Sequence, residues 1–150
     1  MKKILIVCLG NICRSPTAEA VLRAKAKLRG IDIEVDSAGT IDYHQGKGPD
    51  SRAKAAGEKR GYSFRGITSR PVKAEDFVHF DYILAADEQN KCDLLARCPL
   101  QFKTKVDLFL SMAEVDEIEI PDPYYGGEQG FELVLDLLET ASDQLLDKIS

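Results

Sequence analysis

Cys8 and Arg14, six residues apart, bracket the run Cys8-Leu9-Gly10-Asn11-Ile12-Cys13-Arg14-Ser15. A thiolate is a strong nucleophile, and a guanidinium fork clamps two oxygens of a phosphate. Where this run sits decides whether the two act together. Lys3-Ile4-Leu5-Ile6-Val7 precedes it and reads as a buried parallel strand, continuous in apolar residues and rich in β-branched ones. From Pro16 to about residue 29 the pattern is helical. The run is therefore a strand-to-helix loop, whose backbone N–H groups and helix pole together favour an anion. A cysteine at the strand end of such a nest is held toward its thiolate form, and Arg14 lies where the oxyanion would sit. This is the layout of a thiolate phosphatase.

The elements that must position the loop follow by pattern. Strands are expected at residues 31–36, 81–85 and 103–106, and helices at about 50–60, 88–97 and 129–149. On the last helix, Phe131, Val134, Leu135, Leu138, Ala141, Leu145 and Ile149 form one apolar stripe, a core face. Strand and helix alternate throughout, which predicts one α/β domain over residues 1–150 with a parallel sheet. Ligands of such sheets bind beyond the carboxyl ends of strands, where the loop after Val7 opens.

A chain of 150 residues is long enough for an adequate core. The net charge of −5 hides an asymmetry: residues 1–75 have 15 Lys and Arg against 8 Asp and Glu, and residues 76–150 have 5 against 17. The basic half holds the proposed phosphate loop and would steer phosphate and other oxyanions there. It lacks the basic stripe interleaved with aromatics that nucleic-acid binding needs. Met1-Lys2-Lys3 and the apolar residues after it imitate a signal peptide, but the apolar run is too short and polar residues follow. No stretch approaches the length of a membrane span. The cysteine pairs Cys8/Cys13 and Cys92/Cys98 are spaced too widely for zinc knuckles, so no metal and no cofactor is expected. A catalytic thiolate needs a reducing compartment, which points to the cytoplasm.

With this loop, Asp36-Ser37-Ala38-Gly39, Phe80-Asp81-Tyr82-Ile83-Leu84 and Asp122-Pro123-Tyr124-Tyr125 taken together, the chain resembles the low-molecular-weight protein-tyrosine phosphatases over essentially all its length. The resemblance implies a four-stranded parallel sheet flanked by helices, of Rossmann-like type. It also implies hydrolysis of phosphotyrosine in proteins through a cysteinyl-phosphate intermediate, activity on small aryl phosphates, and a monomer or weak dimer. Cys8 matches the nucleophile, Arg14 the transition-state clamp, and Asp122 the general acid that protonates the phenolate oxygen and then deprotonates water. Leu9, Gly10, Asn11, Ile12 and Cys13 would form the phosphate cradle, with Ser15 donating its hydroxyl to the thiolate. Asn11 is expected in a left-handed conformation, which Asn tolerates. Ser37 either fixes Asn11, as its match does in the family, or is a plain turn residue. Tyr124 and Tyr43 would wall the pocket on opposite sides, Tyr43 being equally readable as a scattered surface aromatic. His44, beside Tyr43, is a further candidate for touching substrate, and His79 reads as a surface residue.

The chain departs from the family in two places. Many members have a histidine supporting the loop asparagine, whereas residues 65–71 here read Arg-Gly-Ile-Thr-Ser-Arg-Pro, so no role carries over. The methionine common before Asp87 is an alanine; Asp87 either braces Arg14 or caps a helix. Two rival activities use a similar loop. A thioredoxin-coupled arsenate reductase would relay electrons through Cys92 and Cys98, against a reading of those two as plain structural thiols. A phosphoarginine phosphatase would favour threonine where Ile12 stands. A non-catalytic phosphate binder would have no need of Asp122. Finally, Cys13 is placed to form a disulfide with Cys8 after mild oxidation, which would make the enzyme redox-regulated.

Overall fold

In a computed structural model that describes residues 1–123 and 127–149, the chain runs β1 (Lys2–Cys8), α1 (Arg14–Leu28), β2 (Ile33–Gly39), α2 (Ser51–Lys59), α3 (Ala74–His79), β3 (Tyr82–Ala85), α4 (Glu88–Arg97), β4 (Val106–Leu108) and α5 (Gly127–Ile149). Short 3₁₀ turns at Leu100–Lys105 and Phe109–Met112 flank β4. All four strands are parallel, in the order β2-β1-β3-β4. Chain order reverses direction between β1 and β3, so the crevice beyond the C-terminal end of β1 is the natural ligand position of the sheet.

β1 is central because Ile4, Leu5, Ile6 and Val7 are all fully buried, which only a strand covered on both faces allows. Its pleat sorts them. Ile4, Ile6 and Cys8 face a core built with α1 and α5 (Val21, Leu22, Leu135, Leu138, Leu145), while Leu5 and Val7 pack with Phe77, Phe80, Leu94, Val106 and Leu108. Cys8 thus leaves the strand on the side of α1, the helix that starts at Arg14. The stripe expected on α5 is the face it buries.

Three local expectations are corrected. The fourth strand is Val106–Leu108, not residues 103–106: Pro99 starts a 3₁₀ turn that consumes Lys103-Thr104-Lys105, and Lys105 Nζ caps the end of α3 by donating to Phe77 O at 2.9 Å. Asp36-Ser37-Ala38-Gly39 is the C-terminal end of β2, not a turn, and pairs with β1 as far as Cys8–Gly39. α3 was not expected. Its six residues are too short for periodicity to register, and its start is fixed by Asp76, which accepts from Lys73 N at 2.8 Å.

Candidate active site

The loop from Cys8 to Arg14 is shaped by where its carbonyls go. Cys8 O accepts from Thr40 N at 3.0 Å and Leu9 O from Ile41 N at 3.1 Å, both just past β2. Gly10 O accepts from Ser69 Oγ at 3.0 Å, Ile12 O from Asp50 N at 2.6 Å, and Cys13 O from Thr17 N and Oγ1 at 3.2 and 2.6 Å. In a trans peptide the N–H points opposite to the C=O, and no cis bond occurs among the described residues. Five carbonyls held outward therefore leave the amides of Leu9, Gly10, Asn11, Cys13 and Arg14 facing the concave side. Asn11 bends the loop with φ of 55°, the left-handed conformation expected of it, and its N–H meets Cys8 Sγ at 3.3 Å.

Gly39 sets how closely β2 can approach. A Cβ there would lie 2.8 Å from Leu9 O and 2.9 Å from Ile41 O, both backbone atoms. Only a residue without a side chain lets the strand end and the loop pack this tightly.

Arg14 is buried at the start of α1, and its Nη1 donates to Asp87 Oδ2 at 2.8 Å and to Ile120 O at 3.2 Å. Burial disfavours its charge, but the Cys8 sulfur and Asp87 outweigh that and raise its pKa. Asp87 performs both roles weighed for it, since Oδ1 caps α4 by accepting from Asn90 N at 2.8 Å while Oδ2 braces Arg14. Ile120 N donates to Ala86 O at 2.8 Å, which ties the segment before Asp122 to the end of β3. Asp122 then stands with Oδ2 3.9 Å from Arg14 Nη2, its side chain 48% exposed.

Cys8, Leu9, Gly10, Ile12, Cys13 and Arg14 share a cleft of about 300 Å³ with Ile41, Tyr43, His44 and Asp122. Tyr43 is 77% exposed on the rim and packs edge-on against His44, with ring centroids 4.8 Å apart. His44 lies over Gly10, where a Cβ would meet its ring at 2.9 Å. Tyr124, expected opposite, lies outside the described residues. Cys92 is exposed on α4 and Cys98 buried just beyond it, and neither lines the cleft. Burial, then the Cys8 sulfur, push the Cys13 thiol far above its ordinary range.

Sequence reasoning missed part of the support. The place of the family's histidine is taken by a main-chain group: Arg70 N donates to Asn11 Oδ1 at 3.0 Å. The segment holding Arg70 docks on β2 through Gly39 N to Arg70 O at 2.8 Å and Val72 N to Gly39 O at 2.9 Å. Arg70 also bridges Asp36 and Asp76 through its guanidinium. No side-chain pattern marks an amide in advance. Ser37 is 1% exposed, accepts from Asn11 Nδ2 at 3.0 Å, and is no turn residue. It donates in turn to Glu19, a carboxylate inside the buried first turns of α1; that misplaced charge was the one available signal.

Comparison with known proteins gives one consistent result. The family model described as low molecular weight phosphotyrosine protein phosphatase matches residues 3–150. A protein tyrosine phosphatase from Entamoeba histolytica, solved with Hepes in its active site, is 47% identical with a TM-score of 0.95, covering 99% of this chain and 97% of that one. YfkJ from Bacillus subtilis superposes with a TM-score of 0.93 at 39% identity, over 99% of this chain and 94% of its own. The human low molecular weight phosphotyrosine protein phosphatase is 43% identical over 138 residues, 89% of this chain and 86% of the relative.

Proposed function

The chain belongs to the low-molecular-weight phosphotyrosine protein phosphatase family, and on that premise we propose that it hydrolyses phosphotyrosine in proteins, and small aryl phosphates, through a cysteinyl-phosphate intermediate. In the first step the Cys8 thiolate bonds to phosphorus, the P–O bond to the ring breaks, and the electron pair leaves on the phenolic oxygen. The Asp122 carboxyl supplies the proton that oxygen needs. In the second step a water oxygen bonds to phosphorus and gives its proton to the Asp122 carboxylate. The S–P bond breaks and its electron pair returns to Cys8. Arg14 and the inward amides hold the equatorial oxygens, and their donors strengthen most as charge builds on the planar phosphoryl group. Ser15 Oγ, 3.0 Å from Cys8 Sγ, steadies the departing thiolate.

The observation that carries this reading is the loop whose carbonyls are held outward over a cysteine and a braced arginine. Asp122 at the mouth argues for turnover over simple binding. Release of p-nitrophenol from its phosphate ester in the presence of a chelator, with no arsenate reduction when thioredoxin is supplied, is the expected outcome. Arsenate reduction without ester hydrolysis overturns the reading.

Residues 1–150 are proposed as one phosphatase domain, with monomer or weak dimer as its working state. Four free cysteines, one of them the nucleophile, fit a reducing compartment such as the cytoplasm. A redox brake completes the proposal. Peroxide converts the Cys8 thiolate to a sulfenic acid with loss of hydroxide; the Cys13 thiol then displaces water from it to form a disulfide. A sulfenic acid is uncharged, so the repulsion from Cys8 that helps raise the Cys13 thiol is gone once the first step has occurred.

A further inference from the structure

Of the five loop carbonyls held outward, four accept from main-chain N–H groups, those of Thr40, Ile41, Asp50 and Thr17. Gly10 O alone depends on a side chain, the Ser69 hydroxyl at 3.0 Å. Ser69 is 4% exposed, and its own main chain is fixed on both sides: Ser69 N donates to Lys47 O and Ser69 O accepts from Gly46 N, each at 2.8 Å. A rigid backbone therefore delivers the hydroxyl to Gly10.

Gly10 O and Asn11 N–H are the two ends of one planar peptide and point in opposite directions. The oxygen meets Ser69 Oγ, and the N–H meets Cys8 Sγ at 3.3 Å. Turning this peptide over, by about 180° around the line joining its two Cα atoms, leaves both side chains nearly in place and exchanges the two ends. It also carries Asn11 from φ of 55° into the extended region that any residue adopts. Gly10, without a side chain, accepts the matching change in its own ψ. Left-handed backbone is disfavoured roughly tenfold for most L-residues and somewhat less for Asn, so local preference favours the turned peptide. Turned, it points a carbonyl oxygen at the thiolate and the oxyanion, and the nest loses a donor. The Asn11 side chain does not prevent this, because its bonds to Ser15, Ser37 and Arg70 N are all made beyond Cβ.

We propose that Ser69 is a positioning residue: its hydroxyl locks the Gly10–Asn11 peptide with the N–H inward, so that the nest is formed before an oxyanion arrives. The proposal rests on the reading of this loop as the oxyanion receptor. Without the lock, the free protein divides between inward and turned forms, and only the inward form binds. Apparent affinity then falls by the fraction of competent protein. Once bound, the phosphoryl oxygens take the N–H and hold the peptide inward themselves, so both chemical steps proceed as in the parent.

Ser69→Ala removes the hydroxyl and keeps the main chain that carries it. With p-nitrophenyl phosphate, KM is expected to rise about fivefold while kcat stays within about twofold. The dissociation constant of inorganic phosphate, read by calorimetry without turnover, should rise by the same factor as KM. A merely structural Ser69 predicts otherwise: kcat falling as folded protein is lost, at constant KM and constant phosphate affinity.

A crystal structure of Ser69→Ala grown without oxyanions should show Gly10 O turned toward Cys8, and one with phosphate should show it outward again; Gly10 O outward in both overturns the lock. Should Ser69→Ala fail to fold by thermal melting, Ser69→Cys, which keeps a weaker donor at the same place, must show the same split between KM and kcat at smaller size. A parent that binds phosphate but releases no p-nitrophenol overturns the phosphatase reading, and the lock then stands or falls on phosphate affinity. A parent that does both, beside variants with unchanged KM and phosphate affinity, overturns the role of Ser69 alone.

Discussion

The phosphate loop and the segment that brings Asp122 meet at one cleft but are held in opposite ways. Across the loop, five carbonyls are engaged by groups from beyond β2, from the segment before α3, from the start of α2 and from α1 itself, and Asn11 is bonded through both ends of its amide. Among the described residues, the path to Asp122 is held at Glu119, which accepts from Glu88 N at 2.8 Å, and at Ile120, between Ala86 and Arg14, while Asp122 itself is half-exposed. The difference follows the chemistry. An oxyanion receptor acts by preorganisation, since donors already aimed at developing charge need no reorganisation during reaction. A group that gives a proton to one molecule and takes one from another must instead stay in reach of solvent.

The comparison can be broken at either side. The largest effect is expected from Cys8→Ser: a folded protein without detectable turnover, because no other group forms the covalent bond; residual hydrolysis of p-nitrophenyl phosphate above background contradicts this. Next comes Asp122→Ala, with kcat down roughly 10²–10⁴-fold and inorganic phosphate still inhibiting. The loss should shrink as the leaving-group pKa falls, and equal losses across a series of aryl esters would remove Asp122 from the acid role.

Gly39→Ala tests the rigid side without touching a reacting group. Its Cβ meets two backbone oxygens, so the loop or the strand must move, and overpacking of this kind costs about 1–3 kcal/mol. If that displacement is lost from transition-state binding, kcat/KM falls roughly 10–100-fold. Gly57→Ala is the matching control, because its Cβ meets the Phe64 ring, a side chain that does not line the cleft. It should lower the melting temperature and leave kcat/KM alone.

Ile12→Thr should shift preference from phosphotyrosine toward phosphoarginine by about fivefold, the worth of roughly 1 kcal/mol at an apolar wall. An unchanged ratio of the two kcat/KM values would discard Ile12 as a selector. The smallest change is expected for Cys13→Ser after mild peroxide, where dithiothreitol should recover less activity than in the parent. Equal recovery would turn suspicion to Cys92 and Cys98.

How much of this was legible depends on which groups do the work. The Ile4–Val7 run announced β1, the Pro16 helix announced α1, and the Cys8–Arg14 spacing between them placed the nest. Asn11 was legible because few residues tolerate its φ. Part of the support behind the nest was not, since it comes from main-chain groups (Arg70 N, Ile120 O, Asp50 N) that any sequence possesses. Asp87 resisted a single reading because its two oxygens do two things. β4 and α3 were misplaced or missed because three and six residues are too few for a period to emerge.

The outward carbonyls have a consequence for how this protein opens and closes. Together they are tethered to four separate stretches of chain, so the loop is whole only while all of those stretches are docked together. Partial unfolding of any one of them disarms the nest before the rest of the molecule melts. Conversely, an oxyanion that binds the intact nest and not the opened one stabilises the docked state by mass action, by about 2.7 kcal/mol at a hundredfold excess over Kd. Amide hydrogens should therefore exchange more slowly on adding phosphate around Thr40, Ser69 and Asp50, none of which needs to touch the anion. The site and the fold are one cooperative unit.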